Sequence, residues 1–215
     1  MPSLITILIL GFLLGMRHAT DTDHVVAIGT ITARQKSVKS SMAVGGLWGI
    51  GHSAMVTVVG ILIMFLHLNI SVRIGTIIEF SVGMMLVTLG VINLFGVIKI
   101  PVVHKHEHSH GEKTHSHLHF HFIRPLLVGS VHGLAGSAAI ALLILATINN
   151  SAYAIYYLLI FNVGVIVGMM IITTLIGASL VYARNKLDNL NKYFVLGSGI
   201  ISFVFGLYVM YQNRF

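Results

Sequence analysis

The chain of 215 residues contains no cysteine. Disulfide bonds and thiolate ligands are therefore excluded, and any metal ion must be held by histidine, carboxylate, carbonyl or water ligands. Charged residues are scarce, at 9% of the chain, whereas 56% of the residues are hydrophobic and the mean hydropathy is +0.91. Ordinary soluble domains do not have this composition. The sequence therefore predicts a polytopic membrane protein embedded in a lipid bilayer.

Acidic residues are fewer than basic ones, which gives a net charge of +7 and a pI near 9.9. In a soluble protein this balance would suggest nucleic acid, but here the basic residues lie in short loops, where they act as topology signals. The chain also lacks a Gly-x-x-x-x-Gly-Lys-Ser/Thr loop, so we expect no ATP hydrolysis by the chain itself. Its first apolar segment lacks a basic n-region and a cleavage site, and we expect it to remain as a span.

Six apolar segments are long enough to cross about 30 Å of hydrocarbon as helices. They cover residues 4–29, 43–66, 74–98, 124–147, 153–181 and 192–211. We predict an all-α fold with one transmembrane domain over residues 1–215, whose halves, 1–98 and 124–215, are joined by a loop over 99–123. Lysine and arginine concentrate in or beside the odd-numbered loops. By the positive-inside rule these loops are cytoplasmic and both termini lie outside the cytoplasmic membrane.

The two halves share short patterns. Gly15-Met16-Arg17-His18 in the first span matches Gly129-Ser130-Val131-His132 in the fourth, and Gly83 with Gly90 resembles Gly199 with Gly206. Three spans in each half would give the halves opposite orientations, which is the inverted repeat of many transporters. Glycines also recur in apolar helices simply because they allow close packing. The pattern therefore leaves both a 3+3 inverted repeat and plain helix packing open.

Ionisable side chains concentrate within the first span, in Arg17-His18-Ala19-Thr20-Asp21-Thr22-Asp23-His24. Such groups are costly at bilayer depth and usually serve a function. In a straight helix, His18, Asp21 and His24 would share one face, whereas Asp23 would point away and Arg17 would lie beside Asp21. Either Arg17 pairs with Asp21, or the helix is locally unwound and both carboxylates turn inward. We expect a break in the first span near this motif, as at many transport sites.

Two further histidines lie in apolar spans, His52 within Gly51-His52-Ser53 and His132 in the fourth span. A single intramembrane histidine is often only hydrogen-bonded to a carbonyl. Imidazoles with carboxylates and no thiolate fit Ni(II), Co(II), Zn(II) or Mn(II) better than Cu(I), Mg(II) or Ca(II). The predicted metal ligands are His18, Asp21, Asp23, His24, His52 and His132, with secondary roles for Arg17, Ser53, Glu79 and Asn162. Glu79 could attract cations or only hydrogen-bond at the interface, and Asn162 is typical of a contact between helices.

A histidine-rich segment joins the two halves. Its histidines are His104, His106, His108, His110, His115, His117, His119 and His121. Imidazoles at this density bind Ni, Co, Cu or Zn without a fixed geometry. We interpret the segment as a cytoplasmic metal buffer that passes the ion on, with a nickel chaperone as a candidate partner. The alternative is a solvated linker.

The motif at residues 17–24 resembles the Arg-His-Ala-x-Asp-Ala-Asp-His signature of the nickel/cobalt transporter family, and Gly51-His52-Ser53 resembles that family's second signature. The histidine-rich middle loop and His132-Gly133-Leu134-Ala135-Gly136-Ser137 are similar to the six-span, urease-associated branch. The resemblance implies a permease, not an enzyme, which imports Ni(II) or Co(II) as substrate and needs no cofactor. It puts His18, Asp21, Asp23, His24 and His52 in the family's metal-binding positions.

The chain departs from the family pattern in three places. Thr22 replaces an alanine, and Phe161-Asn162-Val163-Gly164-Val165 lacks the acid of the family's Phe-x-x-Gly-Phe-Asp-Thr motif. Typical members also have eight spans, and this chain is expected to lack the one before the signature. The missing acid puts the rest of the family's site in doubt.

Three other functions remain open at this point. Six spans with a cytoplasmic histidine-rich loop also describe cation exporters, although the diffusion-facilitator type carries a C-terminal domain for which little chain is left here. An intramembrane metalloenzyme is disfavoured because no His-Glu-x-x-His motif is present. A metal sensor or accessory subunit would bind the ion without carrying it. The direction of transport does not follow from the residues.

Overall fold

The computed structural model describes residues 3–66, 71–95, 120–134, 148, 150–184 and 190–214. Within these ranges all regular structure is helical. The helices are α1 (Leu4–His18), α2 (Thr22–Thr32), α3 (Val38–Leu66), α4 (Val72–Phe95), α5 (Phe120–Leu134), α6 (Ser151–Arg184) and α7 (Leu190–Gln212). The all-α prediction is confirmed for this part of the chain.

Four of these helices, α3, α4, α6 and α7, are each long and apolar enough to cross a membrane, and α1 with α2 makes a fifth candidate if the bent pair is one span. The protein is therefore a multi-pass membrane protein. The predicted fourth span, 124–147, is described only as far as Leu134, and its remainder lies outside the described residues. So do seven of the eight loop histidines, whereas His121 lies in α5, which begins before the predicted end of the loop at residue 123.

The first span is broken within the ionisable motif, as predicted. α1 ends at His18, α2 begins at Thr22, and the two helices are bent by 58°. The Arg17 and His18 carbonyls at the break accept backbone N–H groups of the turn, and they also accept side-chain hydrogen bonds, from Thr20 Oγ1 at 2.6 Å and from His24 Nδ1 at 3.0 Å. Backbone polar groups at membrane depth need hydrogen-bond partners, so the side chains of the motif stabilise the break in the helix. The break in turn determines where these side chains lie.

Two helix pairs run antiparallel and pack through glycine. In α4 and α7, a Cβ atom at Gly83 would lie 2.9 Å from the carbonyl oxygen of Gly206, and one at Gly90 would lie 2.7 Å from that of Gly199. The four glycines that suggested a repeat thus contact one another. α3 and α6 are antiparallel too, since Gly45 meets Met169 whereas Ser53, further along α3, donates to the Asn162 carbonyl at 3.4 Å.

Two other pairs run parallel at very close range. Between α1 and α6, a Cβ atom at Gly11 would lie 3.1 Å from the Tyr157 carbonyl oxygen, and one at Gly15 would lie 2.1 Å from that of Phe161, so both chains advance in the same direction. Between α3 and α5, a Cβ atom at Gly129 would lie 2.1 Å from the Trp48 carbonyl oxygen, and one at Gly133 would lie 2.3 Å from that of His52, so these two helices also advance in the same direction. Only glycine permits backbones to approach this closely, as in other membrane helix pairs. These contacts hold the end of α1 against α6 and the middle of α3 against the C-terminal half of α5.

α2 is held against α4 and α7 by a polar network at its C-terminal end. Arg34 donates from Nε to the Asn93 side-chain oxygen at 2.7 Å and from Nη2 to the Ile92 carbonyl at 3.0 Å. Asn93 in turn donates to the Thr30 carbonyl at 2.9 Å and to Ser198 Oγ at 3.3 Å. The guanidinium thus satisfies carbonyls near the end of α4, where a positive charge is favourable.

Candidate metal centre

Four histidines from four helices meet at the break in the first span. His18 is the last residue of α1, His24 lies in α2, His52 in α3 and His132 in α5. All four are at most 7% exposed. The break positions the first two, and the glycine contacts between α3 and α5 position the others.

His18, His24 and His52 form the first group of possible ligands, since one ligand atom from each lies within 4.8 Å of the others. The Nε2 atoms of His18 and His52 are 3.1 Å apart and lie within hydrogen-bond distance of each other. Two imidazole nitrogens at about 2.1 Å from one divalent ion are about 3.0 Å apart when they subtend a right angle at it. The observed separation therefore suits two neighbouring ligands of a single ion.

Hydrogen bonds at the other ring nitrogens orient two of these imidazoles. His24 Nδ1 donates to the His18 carbonyl, which leaves His24 Nε2 without a proton in the neutral ring. His18 Nδ1 donates to the Asp21 carboxylate at 2.8 Å, which likewise turns the Nε2 lone pair toward His52. A carboxylate behind a ligating histidine is the usual outer partner in metal sites. The structure thus places Asp21 behind His18, in contact with the ring and apart from the grouped ligand atoms.

Asp23, His24 and His132 form a second group that shares His24 with the first. The Asp23 Oδ2 atom lies 3.8 Å from His24 Nε2 and 3.7 Å from His132 Nε2. Neither nitrogen has a hydrogen-bond partner, although both rings are fully buried. A buried polar atom without a partner is costly and calls for an explanation such as an ion. The two groups together form a continuous set of nitrogen and oxygen atoms.

The break also resolves the conflict that the sequence left open. Asp23, which a straight helix would turn away, faces His24 and His132, and Asp21 pairs with His18. Arg17 is exposed. The second alternative, an unwound span with both carboxylates turned inward, is the one that the structure adopts.

The remaining secondary residues, Ser53, Asn162 and Glu79, have different surroundings. Ser53 and Asn162 contact each other across α3 and α6, and the Asn162 amide donates to Thr57 Oγ1 at 2.7 Å. These two residues join helices, as the sequence suggested for Asn162. Glu79 lines a cavity of about 370 Å³ together with Asp21 and Asp23. The cavity lies between α2, α4 and α7.

Trp48 is a site residue that the sequence analysis missed. Its ring is fully buried and stacks on His52, with centroids 5.0 Å apart and planes 11° apart. It also meets His24 edge to face at 4.9 Å and lies 5.4 Å from His132. The available signal was its position one helical turn before His52, which puts both side chains on the same face of α3. Trp48 thus forms an apolar wall that excludes water from three imidazoles.

Known proteins that are similar to this chain include ones described as nickel transporters. The profile of the NicO family, described as high-affinity nickel-transport protein, matches residues 4–204. The urease accessory protein UreH of Bacillus sp. (strain TB-90) is 36% identical over 214 residues, which are 97% of this chain and 92% of that protein. The nickel transporter NixA of Staphylococcus aureus (strain NCTC 8325 / PS 47) is 34% identical over 102 residues, or 40% of this chain and 28% of that one.

A plant protein is similar over a longer stretch but at lower identity. The chloroplast protein FOR GROWTH AND FERTILITY 1 of Arabidopsis thaliana is 24% identical over 218 residues, which are 95% of this chain and 59% of the plant protein. No solved structure matches the chain.

Proposed function

We propose that this chain, which belongs to the NicO family of high-affinity nickel-transport proteins, is a permease that takes up Ni(II), with Co(II) as an alternative substrate. The observation that carries the proposal is the convergence of four buried imidazoles on a broken membrane span, with two Nε2 atoms at the 3.1 Å spacing of ligands to one ion. Nitrogen-rich sites without thiolate favour nickel and cobalt over magnesium and calcium.

In this account His18, His24 and His52 hold the ion, and Asp21 keeps the His18 ring in its binding orientation. Asp23 and His132 form a neighbouring position that shares His24 with the first. The shared imidazole supports a short transfer between the positions, because its Nδ1 atom is held by a backbone carbonyl while its Nε2 atom is free to bind. Arg17, which is exposed, stays outside the ligand set.

The fold proposal has six spans, in two halves of three, within a single transmembrane domain. The helix directions support it: α1 runs parallel to α6, α5 parallel to α3, and α3 antiparallel to α6. It follows that α1 and α5 are antiparallel, and so are α4 and α7. In such a repeat the counterparts are α1 and α5, α3 and α6, and α4 and α7. If each helix is exchanged for its counterpart, the parallel α1–α6 pair becomes the α5–α3 pair, which is also parallel. The α3–α6 and α4–α7 pairs remain the same. The fourth span would comprise α5 and residues that follow it up to 147.

Individual contacts support the same two-fold relation. Gly15 approaches the carbonyl of Phe161, and Gly129 approaches the carbonyl of Trp48. The two contacts are equivalent in the repeat, because Gly129 lies 114 residues after Gly15 and Trp48 lies 113 residues before Phe161. The ring contact of His18 with Phe161 at 5.6 Å has its counterpart in that of His132 with Trp48 at 5.4 Å. An inverted repeat of this kind builds a substrate site at the middle of the bilayer.

The proposed topology has both termini outside the cytoplasmic membrane and the histidine-rich loop in the cytoplasm. The membrane potential then suffices to drive import, since a divalent cation that moves through about 100 mV gains about 4.6 kcal/mol. That energy supports a concentration ratio on the order of a thousand. The loop histidines would receive the ion and pass it to a cytoplasmic nickel chaperone. The name of the urease accessory relative supports a nickel enzyme as the destination.

The test is uptake of radiolabelled Ni(II) into lipid vesicles that contain only the purified chain, with a negative interior potential. We expect uptake above that of protein-free vesicles, competition by Co(II), and its loss in His52→Ala. Vesicles that remain at the protein-free level with correctly folded chain would contradict the proposal. A deletion strain that becomes sensitive to excess nickel, instead of starved for it, would favour an exporter.

A further inference from the structure

The carboxylates that the structure describes lie in one place. The chain has six acidic residues, and the three that fall within the described ranges, Asp21, Asp23 and Glu79, all line the single cavity between α2, α4 and α7 that was introduced above. The other polar lining comes from Thr22, Tyr208, Gln212 and Asn213, and none of the lining residues is basic. The cavity is therefore an acidic compartment in a chain with a net charge of +7.

The cavity leads to the histidines through Asp23. The Asp21 side chain is 38% exposed and that of Asp23 is 17% exposed, whereas His24 and His132 are fully buried. The Nε2 atoms of both histidines approach the Asp23 carboxylate and have no hydrogen-bond partner. A cation that reached the cavity would thus meet carboxylates first and unpartnered imidazole nitrogens behind them.

A polar network joins the same helices at their other end. Arg34 and Asn93 join the C-terminal ends of α2 and α4, and Asn93 also reaches Ser198 near the start of α7. A guanidinium at that end repels a cation. The cavity instead lies at the end where α4 begins and α7 ends, beside Glu79 and Gln212.

We propose that this cavity is a vestibule that holds a hydrated divalent cation before the ion loses water to the histidines, and that Glu79 is its outer binding residue. The inference rests on the proposed function and extends it, because it assigns the route of access and a second binding position. The cavity of about 370 Å³ has room for an ion with six waters. Those waters occupy about 180 Å³ at about 30 Å³ each.

Oxygen ligands suit a hydrated cation, and imidazoles suit the same ion once it has shed water. The vestibule therefore orders the binding events, with carboxylates before imidazoles. It also predicts a role for Glu79 that is electrostatic and so depends on salt, whereas the role of the imidazoles depends on direct bonds.

The first test is Glu79→Gln in the vesicle uptake assay. A unit charge about 8 Å from a divalent ion in water changes its equilibrium concentration by about fivefold, so we expect the KM for Ni(II) to rise by about that factor at low ionic strength. The maximal rate should stay at the wild-type value. At about 1 M salt the Debye length falls to about 3 Å, and the difference in KM should disappear. An unchanged KM at low ionic strength would overturn the vestibule, as would a fall in maximal rate with no change in KM.

The second test uses the absence of cysteine from the chain. Gln212→Cys places a single thiol on the vestibule wall, and Tyr211→Cys is the matched control, because Tyr211 is an exposed neighbour on α7 that does not line the cavity. In detergent, Ni(II) should slow modification by a bulky charged thiol reagent at position 212 and leave position 211 unaffected. Equal rates with and without Ni(II) at position 212 would overturn the proposal.

In vesicles, complete modification of Gln212→Cys should block uptake, whereas modification of Tyr211→Cys should not. A fully modified Gln212→Cys protein that still transports at the unmodified rate would exclude this route. The two proposals fail separately: a chain that protects position 212 but does not take up Ni(II) would retain the vestibule and lose the permease function.

Discussion

The close contact of α3 and α5 makes a specific prediction about Gly51. A methyl group at this position would lie 2.1 Å from the Leu126 carbonyl oxygen and 3.1 Å from the Ser130 backbone nitrogen. Both neighbours are backbone atoms, so no side-chain rotation relieves the clash. To restore an ordinary contact of 3.4 Å from 2.1 Å, the helices must separate by about 1.3 Å.

This separation would act directly on the metal centre, because His52 follows Gly51 on α3 and His132 lies on α5. Distances in metal sites tolerate deviations of only about 0.2 Å. We therefore expect Gly51→Ala to lower the affinity for Ni(II) by on the order of tenfold to a hundredfold, the range found when the support of a metal ligand is disturbed. Overpacking of this kind also costs about 1–3 kcal/mol of stability.

The assay is equilibrium binding of Ni(II) to purified protein in detergent, accompanied by thermal unfolding to verify that the variant is folded. Gly46→Ala is the matched control on the same helix, since its methyl group would lie at an ordinary 3.6 Å from the flexible Met170 side chain. We expect the control to bind like the wild type. A folded Gly51→Ala protein with wild-type affinity would refute the claim that the α3–α5 contact sets the spacing of the histidines.

Three further outcomes are expected. Asp21→Asn should lower Ni(II) affinity by about 10–100-fold in equilibrium dialysis, because the amide no longer holds His18 as a charged carboxylate does; an unchanged affinity would argue against the orienting role. Asn93→Ala should lower the free energy of unfolding by about 1–3 kcal/mol in denaturant titrations, since buried partners on α2 and α4 lose their hydrogen bonds, and no change would show that the network is not stabilising. Replacement of the eight loop histidines by serine should leave the initial uptake rate in vesicles unchanged and reduce the metal retained by the protein, whereas loss of the initial rate would place the loop in the transport step.

Much of the fold followed from the lengths of apolar runs. The spans predicted at 74–98 and 192–211 correspond to α4, Val72–Phe95, and α7, Leu190–Gln212. Hydrocarbon thickness sets the length of such helices, so composition alone locates them within a few residues. The ends differ because polar caps and turns, which apolar composition does not register, decide where a helix stops.

The break in the first span was predictable because a straight helix could not accommodate its charges. A straight helix would have turned the Asp23 carboxylate into lipid, at a cost in free energy, and would have paired Arg17 with Asp21. Which atoms would meet after the break was not predictable. The pairing of Asp21 with His18 depends on the path of the short turn between α1 and α2.

The convergence of histidines from separate spans depends on tertiary packing. Their positions in the sequence marked His52 and His132 as candidates, but the parallel contact of α3 with α5 and the wall formed by Trp48 arise only when glycines allow the backbones to touch. The glycines of α4 and α7 show the same limit. The sequence suggested that the pair Gly83 and Gly90 was repeated as Gly199 and Gly206, and the structure shows that Gly83 packs on Gly206 and Gly90 on Gly199.

The most direct test of the metal centre is X-ray absorption at the nickel edge of the loaded protein, in a variant whose loop histidines are replaced by serine so that only the intramembrane site binds. We expect imidazole nitrogen ligands at about 2.1 Å. We also expect His24→Ala, which removes the residue shared by both groups, to weaken that signal. A shell of oxygen ligands alone, or a spectrum that His24→Ala leaves unchanged, would contradict the assignment of the buried histidines as the site that binds the transported ion.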